Sequence, residues 1–345
     1  MGQRALPCGK PRRPINGLIA ELSPGGHVVY LVATTFALVL GLFLAYAYLV
    51  AYERRWLGRW PANVRGGRGL WEPLHGAARA LLKGPCVSHH RRPALHWLGA
   101  GLALCCALAA WALLPWGAAP GWAHLPAPLA SLPRNVLLLI LLDGAGLLGV
   151  ALSAWAAGPA YMQRQGLGTA WQGLAYTLPA LVALGGAVWL AGSVDLGAIA
   201  RAQWQRWPYL IYQPLGASVV LLSLLSGGRR LPYALPGGGD ALLGDFHLQH
   251  AGAPMAVFHW AEYLHLLLAC ALVATVYLGG ARGPWPLGPL VLASETLGLA
   301  ALALWLRRRW WARRQQELGR RLWPLLMSLA LVNTILTGLL LWWRA

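Results

Sequence analysis

The chain is predicted to be an all-α, polytopic integral membrane protein with eight transmembrane helices. Three observations predict it. Apolar residues make up 58% of the chain and charged ones only 11%. Several apolar runs reach about eighteen residues, the length at which a helix crosses the hydrocarbon core of a bilayer. The basic residues fall between those runs, where lipid tolerates charge and where Lys and Arg set orientation. That placement argues against the nucleic-acid binding that a net charge of +18 would otherwise suggest.

Residues 1–27 form a polar N-terminal segment rich in Pro and Gly, and 28–345 a single membrane domain. The first apolar run is too long for the hydrophobic region of a cleavable signal peptide, so none is expected. Spans are expected at about 28–50, 94–116, 132–157, 171–193, 207–226, 254–279, 285–306 and 322–343. Trp97, Trp116, Trp155, Trp207 and Trp342 lie near span ends, where an aromatic belt sits. Pro179 and Pro214 fall within the fourth and fifth spans and predict a kink in each. Long loops follow the first, fifth and seventh spans. The loops after odd-numbered spans hold 19 of the 28 Lys and Arg residues, which places that side in the cytoplasm and both termini outside. No internal repeat is detectable, which disfavours an inverted-repeat transporter.

Only ten Asp and Glu residues exist, so each carries weight. Glu53, in Tyr52-Glu53-Arg54-Arg55 at the end of the first span, reads either as an interfacial ion pair or as a carboxylate lining a polar cavity. Asp143 lies near the middle of the third span, where a charge costs roughly 2.5–3.5 kcal/mol on insertion scales. It reads equally as a hydrogen-bonded neutral acid and as part of a proton path. Glu262 in the sixth span and Glu295 near the start of the seventh join it as proton-path candidates. Acids that face one cavity can exchange protons. Among the histidines, His259 and His265 are six apart and occupy different helix faces. Their spacing matches no metal-ligand pattern, so no metal is expected. The five cysteines contain no CxxC, which indicates neither an iron–sulfur site nor a disulfide framework. The Gly-rich run 237–245 lacks the lysine of a phosphate-binding loop, so no nucleotide is expected.

These residues and their order resemble the quinone-site membrane subunit of respiratory complex I, called the H subunit in bacterial NADH-quinone oxidoreductase. That family is related to the membrane subunit of group 4 hydrogenases and formate hydrogenlyase. The resemblance spans about 28–343. Glu53-Arg54-Arg55 with Leu57 and Arg59 is similar to the family's ERR-x-L-x-R, and Gly69-Leu70 with Pro73 to its G-L-L-Q-P segment. Ser153-Ala154-Trp155-Ala156 is similar to S-G-W-A, and Ala175-Tyr176-Thr177-Leu178-Pro179 to S-Y-E-x-P. Arg230-Leu231-Pro232-Tyr233 is similar to R-x-P-F, Phe246-His247 to Y-H, and Ala261-Glu262-Tyr263 to A-E-Y. The departures fall on acids. Gly76, Gly84, Thr177, Gly227, Ala234, Gly237, Gly239 and Ala241 stand where the family has carboxylates, and Glu295 stands where it has Lys.

The resemblance implies a multi-pass subunit of the bacterial inner membrane that takes quinone as substrate, holds no redox cofactor and is not catalytic alone. Glu53, Arg54, Arg55, Trp71, Arg230, His247, Glu262 and Tyr263 are then quinone-chamber candidates. Arg65, Arg68, Lys83, Arg307, Arg313 and Arg314 are candidates for docking a peripheral arm. The implied partners are iron–sulfur peripheral-arm subunits, antiporter-like membrane subunits and the lipid bilayer, with no nucleic acid. Neutral residues cannot relay protons by titration, so the missing acids leave proton coupling without most of its family residues. Two other readings compete. One is the anchor of a hydrogenase-type complex, in which an unused chamber tolerates lost acids. The other is a stand-alone transporter, for which Asp143 is one of few midplane polar groups.

Overall fold

The computed structural model describes residues 24–57, 75–76, 78–79, 82, 92–116, 132, 134–156, 160–204, 207–227, 253–282, 287–311 and 315–344. Among the described residues every regular element is helical. In chain order these are α1 (Pro24–Leu57), α2 (Pro93–Ala112), α3 (Asn135–Trp155), α4 (Ala160–Ala191), α5 (Leu196–Trp204), α6 (Tyr209–Tyr212), α7 (Pro214–Gly227), α8 (Ala253–Val273), α9 (Leu287–Trp311) and α10 (Gln315–Arg344).

The bundle is built around α8. In its apolar window 89% of residues are buried, against 22–39% in each other long helix among the described residues, so α8 is the one of these seven that protein surrounds. The others bury one stripe and leave an apolar face for lipid, where no polar partner is available. On α1, Leu38, Leu42, Tyr46 and Leu49 recur every three or four residues and are buried, while Phe36, Leu40, Leu44 and Tyr48 are exposed. The tightest pairing joins α2 to α3 through small residues. A Cβ added to Gly149 would lie 2.7 Å from the Gly99 carbonyl oxygen and 2.9 Å from the Ala103 nitrogen. Lipid tails are as apolar as leucine, so close backbone approach of this kind supplies much of what holds membrane helices together. At one end of the same seam Ser153 Oγ lies 2.6 Å from His96 Nδ1, with both residues buried.

Among the described residues seven helices are long and apolar enough to cross a membrane, as expected of seven of the spans. The span expected at 207–226 is divided. It consists of the single turn α6 and the fourteen-residue α7, whose apolar part is Pro214–Leu225. Pro214, expected to kink a helix, opens one instead, at a position where its missing N–H would have had no helical partner. The break is supported from α10. Asn333 Oδ1 accepts from the Gly216 amide at 3.0 Å, and Gln213 Nε2 donates to Thr337 Oγ1 at 2.7 Å. Pro179 lies inside α4 as expected, and Pro324 lies inside α10.

The chain between α4 and α6 folds back onto the end of α8. Gly192, at φ 68°, terminates α4, and Asp195 Oδ2 accepts from the Ala198 amide at 2.9 Å to start α5. After Val273, α8 continues as a π turn over Ala274–Leu278, which misaligns its carbonyls for ordinary helical bonding. Gln203 meets them. Its Nε2 donates to the Val276 carbonyl at 2.9 Å and lies 3.3 Å from that of Thr275, while its Oε1 accepts from the Tyr209 amide at 3.0 Å. Trp204 Nε1 adds a bond to the Gly279 carbonyl at 3.0 Å.

Candidate functional site

A polar cavity opens on one side of α8 where α2, α3, α4 and α7 face it. It encloses about 640 Å³, counting its open mouth. Its polar lining is Cys106 from α2, Asp143 from α3, Thr177 from α4, Ser223 from α7, and Glu262 and His265 from α8. Small residues make the room: Ala103 and Ala107 on α2, Gly146 on α3 and Gly173 on α4 also line it. Glu262 and His265 are three residues apart, the spacing that puts two side chains on one helix face.

The centre of the site is an acid–imidazole pair. His265 Nδ1 lies 3.1 Å from Asp143 Oδ1, and the side chains are only 21% and 14% exposed. The other ring nitrogen, Nε2, lies 3.2 Å from the Leu224 carbonyl oxygen. A carbonyl can only accept, so Nε2 carries a hydrogen. The hydrogen between Nδ1 and the carboxyl then sits on one or the other. Either way the pair is neutral as a whole, the charge state that the membrane interior favours. Thr177 Oγ1 stands 3.5 Å from Asp143 Oδ2 and donates at 3.1 Å to the Gly173 carbonyl. A more apolar extension continues past the pair, lined by Leu139, Leu184 and Leu272. Asp143, Thr177 and His265 border both spaces. Glu262 is buried at 4% exposure on the polar side.

The opposite face of α8 meets α1 through aromatic rings. Tyr46 packs edge-on against Tyr263 at 5.4 Å between centroids, and Phe43 against Trp260 at 5.5 Å. His259 lies 5.1 Å from Tyr263. His259 and His265 therefore occupy different faces, as their spacing predicts. The same alternation separates Glu262 from Tyr263, two residues expected to share one chamber.

The cavity brings Asp143 and Glu262 together and does not include Glu295. That residue lies two turns into α9, within electrostatic reach of Arg282. Glu53, Arg54 and Arg55 fall in the last turns of α1, and Arg307 lies in α9. Trp71, Arg230, His247, Arg65, Arg68, Lys83, Arg313 and Arg314 lie outside the described residues, as does most of the long loops after the first, fifth and seventh spans. Among the described residues no group of three or more His, Cys, Asp or Glu is arranged to hold a metal ion. Sequence reasoning missed the roles of Thr177 and Ser223 in this lining, and it named His265 without a partner. The available signal was the i, i+3 pairing of His265 with Glu262 on a helix already known to carry a costly acid.

Comparison with known proteins decides the family. A family profile described as NADH dehydrogenase matches residues 33–338. The first of the H subunits of NADH-quinone oxidoreductase in Geobacter metallireducens is 32% identical over 325 residues, covering 91% of this chain and 96% of the relative. The chain belongs to the H-subunit family of NADH-quinone oxidoreductases. The second H subunit of Syntrophobacter fumaroxidans is 30% identical over 92% of this chain and 97% of its own. Subunit 8 of the Thermus thermophilus enzyme is 29% identical over 87% and 84%. These relatives are named as subunits of an oxidoreductase complex. Seven apolar helices together with this kinship make the chain a multi-pass protein of a bacterial membrane. Identity near 30% across nearly full length marks a divergent member of the family.

Proposed function

We propose that this chain is the membrane subunit at the junction of a complex I-like NADH-quinone oxidoreductase, where it helps form the quinone chamber and receives the peripheral electron-transfer arm. The observation that carries this reading is that the family match runs through the whole membrane domain and that Glu262 is buried inside the Ala261-Glu262-Tyr263 motif, between an aromatic seam and a polar cavity. Quinone is the substrate and electrons reach it from iron–sulfur subunits of the arm. The chain's own part is to position and to supply protons. Tyr46, Trp260 and Tyr263 pack on one another in the α1–α8 seam and would form an aromatic wall of the chamber. Glu53, Arg54 and Arg55, at the α1 end that follows this seam, would orient its polar head, with Trp71, Arg230 and His247 closing the chamber. Arg65, Arg68, Lys83, Arg307, Arg313 and Arg314 would meet acidic surfaces of the arm. Antiporter-like membrane subunits would flank the bundle, both termini would lie on the periplasmic side, and Asp143, Glu262 and Glu295 would lie along the route of protons.

The test is to isolate the tagged chain from its native membrane in mild detergent and to identify its partners and extracted lipids by mass spectrometry. Iron–sulfur and antiporter-like subunits with bound quinone are the expected recovery. Nickel-site partners without quinone would replace this reading with a hydrogenase-type anchor. A chain that emerges alone would end both.

A further inference from the structure

We propose that Asp143 and His265 form a proton-holding pair that substitutes for acids missing from the family pattern, exchanging one proton with Glu262 through water in the cavity. This rests on the complex I-like reading and names the groups through which its proton route would run.

The geometry supplies the reasons. Thr177 occupies the position where the family pattern carries Glu in S-Y-E-x-P. Its hydroxyl is 3.5 Å from Asp143 Oδ2, so the carboxylate missing from α4 is matched by one on the neighbouring helix, facing the same space. The imidazole of His265 arrives from α8 at 3.1 Å. Asp143, His265 and Glu262 have three places for two mobile hydrogens, once the Nε2 hydrogen held by the Leu224 carbonyl is set aside. In one arrangement Glu262 is a neutral acid and the pair shares one hydrogen. In the other Glu262 is a carboxylate, Asp143 is a neutral acid and His265 is an imidazolium. Passing from one to the other moves a single proton from the Glu262 carboxyl to the pair. Net charge is zero throughout, so the interior never holds an uncompensated charge. Imidazole is the side chain best suited to such exchange near neutral pH.

Water is the natural carrier across the gap. The cavity has room for it, and Ser223, fully buried in its wall, has a hydroxyl with no hydrogen-bond partner among the described residues. A buried hydroxyl left this way in a polar cavity marks a place where water binds. The remaining titratable group of the lining is the Cys106 thiol of α2.

The test uses the whole complex in proteoliposomes and reads protons moved per electron transferred, a ratio that does not depend on how much enzyme is assembled. Asp143→Asn and His265→Gln should each lower the ratio by roughly twofold or more. Adding Thr177→Glu to Asp143→Asn should recover it, because a carboxyl returns to the same space. An unchanged ratio in both single variants would overturn the proposal. Should the variants fail to assemble, infrared difference spectra of the wild-type complex during turnover decide it. Histidine labelled with nitrogen-15 should shift an imidazole band that moves together with a protonated-carboxyl band, and a spectrum with neither change overturns it. A wild-type complex that reduces quinone without moving protons would overturn the pair while leaving the complex I-like reading intact.

Discussion

At the scale of single residues, the membrane makes every unsatisfied polar group visible. Asp143 is legible from sequence as an expensive acid. Its partner is not, because His265 is 122 positions away and only the assembled bundle, which sets α3 across the cavity from α8, brings them within 3.1 Å. The pair also sets a stability expectation. Replacing either partner of a buried ion pair costs roughly 3–5 kcal/mol when a charge is stranded. Here the survivor can neutralise itself, Asp143 by keeping its hydrogen and His265 by losing one. Asp143→Leu or His265→Leu should therefore cost only the roughly 1–3 kcal/mol of an unsatisfied polar group. The double variant should cost less than the sum of the two. Unfolding in mixed micelles, analysed as a double-mutant cycle, measures this. Strict additivity would mean that the two side chains do not interact.

At the scale of helices, the glycine pattern separates contact from mere permissiveness. Gly99 and Gly149 face each other across the α2–α3 seam, where a Cβ on Gly149 would come within 2.7 Å of backbone. Gly101 and Gly144, on the same two helices, would place a Cβ in open space. Gly149→Leu should push the helices apart at a cost of roughly 1–3 kcal/mol or more, and should disturb the buried His96–Ser153 contact at 2.6 Å. Gly101→Leu should be close to neutral. Thermal unfolding of the purified protein compares the two, and equal losses would show that the seam is not the close contact described. Small residues at these positions are readable in the sequence, but which of them point inward is not, since apolar residues occur on every side of both helices. The same limit applies at Pro214. Proline there announces an irregularity, yet a kink and a restart look alike until Asn333, 117 residues further on, is seen capping Gly216.

At the scale of the whole molecule, the divided span decides the topology. Eight crossings put both termini on one side of the membrane, whereas seven put them on opposite sides. The residues from Tyr209 to Gly227 would extend about 28 Å as helix, close to the thickness of the hydrocarbon core. Two points along them are also fixed against α8. Gln203 joins the Tyr209 amide to the Thr275 and Val276 carbonyls just past the end of α8, and Leu224 lies beside His265 at the middle of the Ala253–Leu278 span. The chain therefore advances along α8 in the opposite direction and continues toward the side where α8 begins. We propose a full crossing despite the break, with the orientation read from Lys and Arg. A single cysteine introduced at the N-terminus and another at the C-terminus, in a variant lacking native cysteines, should react alike with a membrane-impermeant reagent added to intact cells. Labelling of one terminus alone would mean that α6 and α7 enter and leave by the same face, and the loop carrying Arg230 and His247 would then lie on the side away from the peripheral arm.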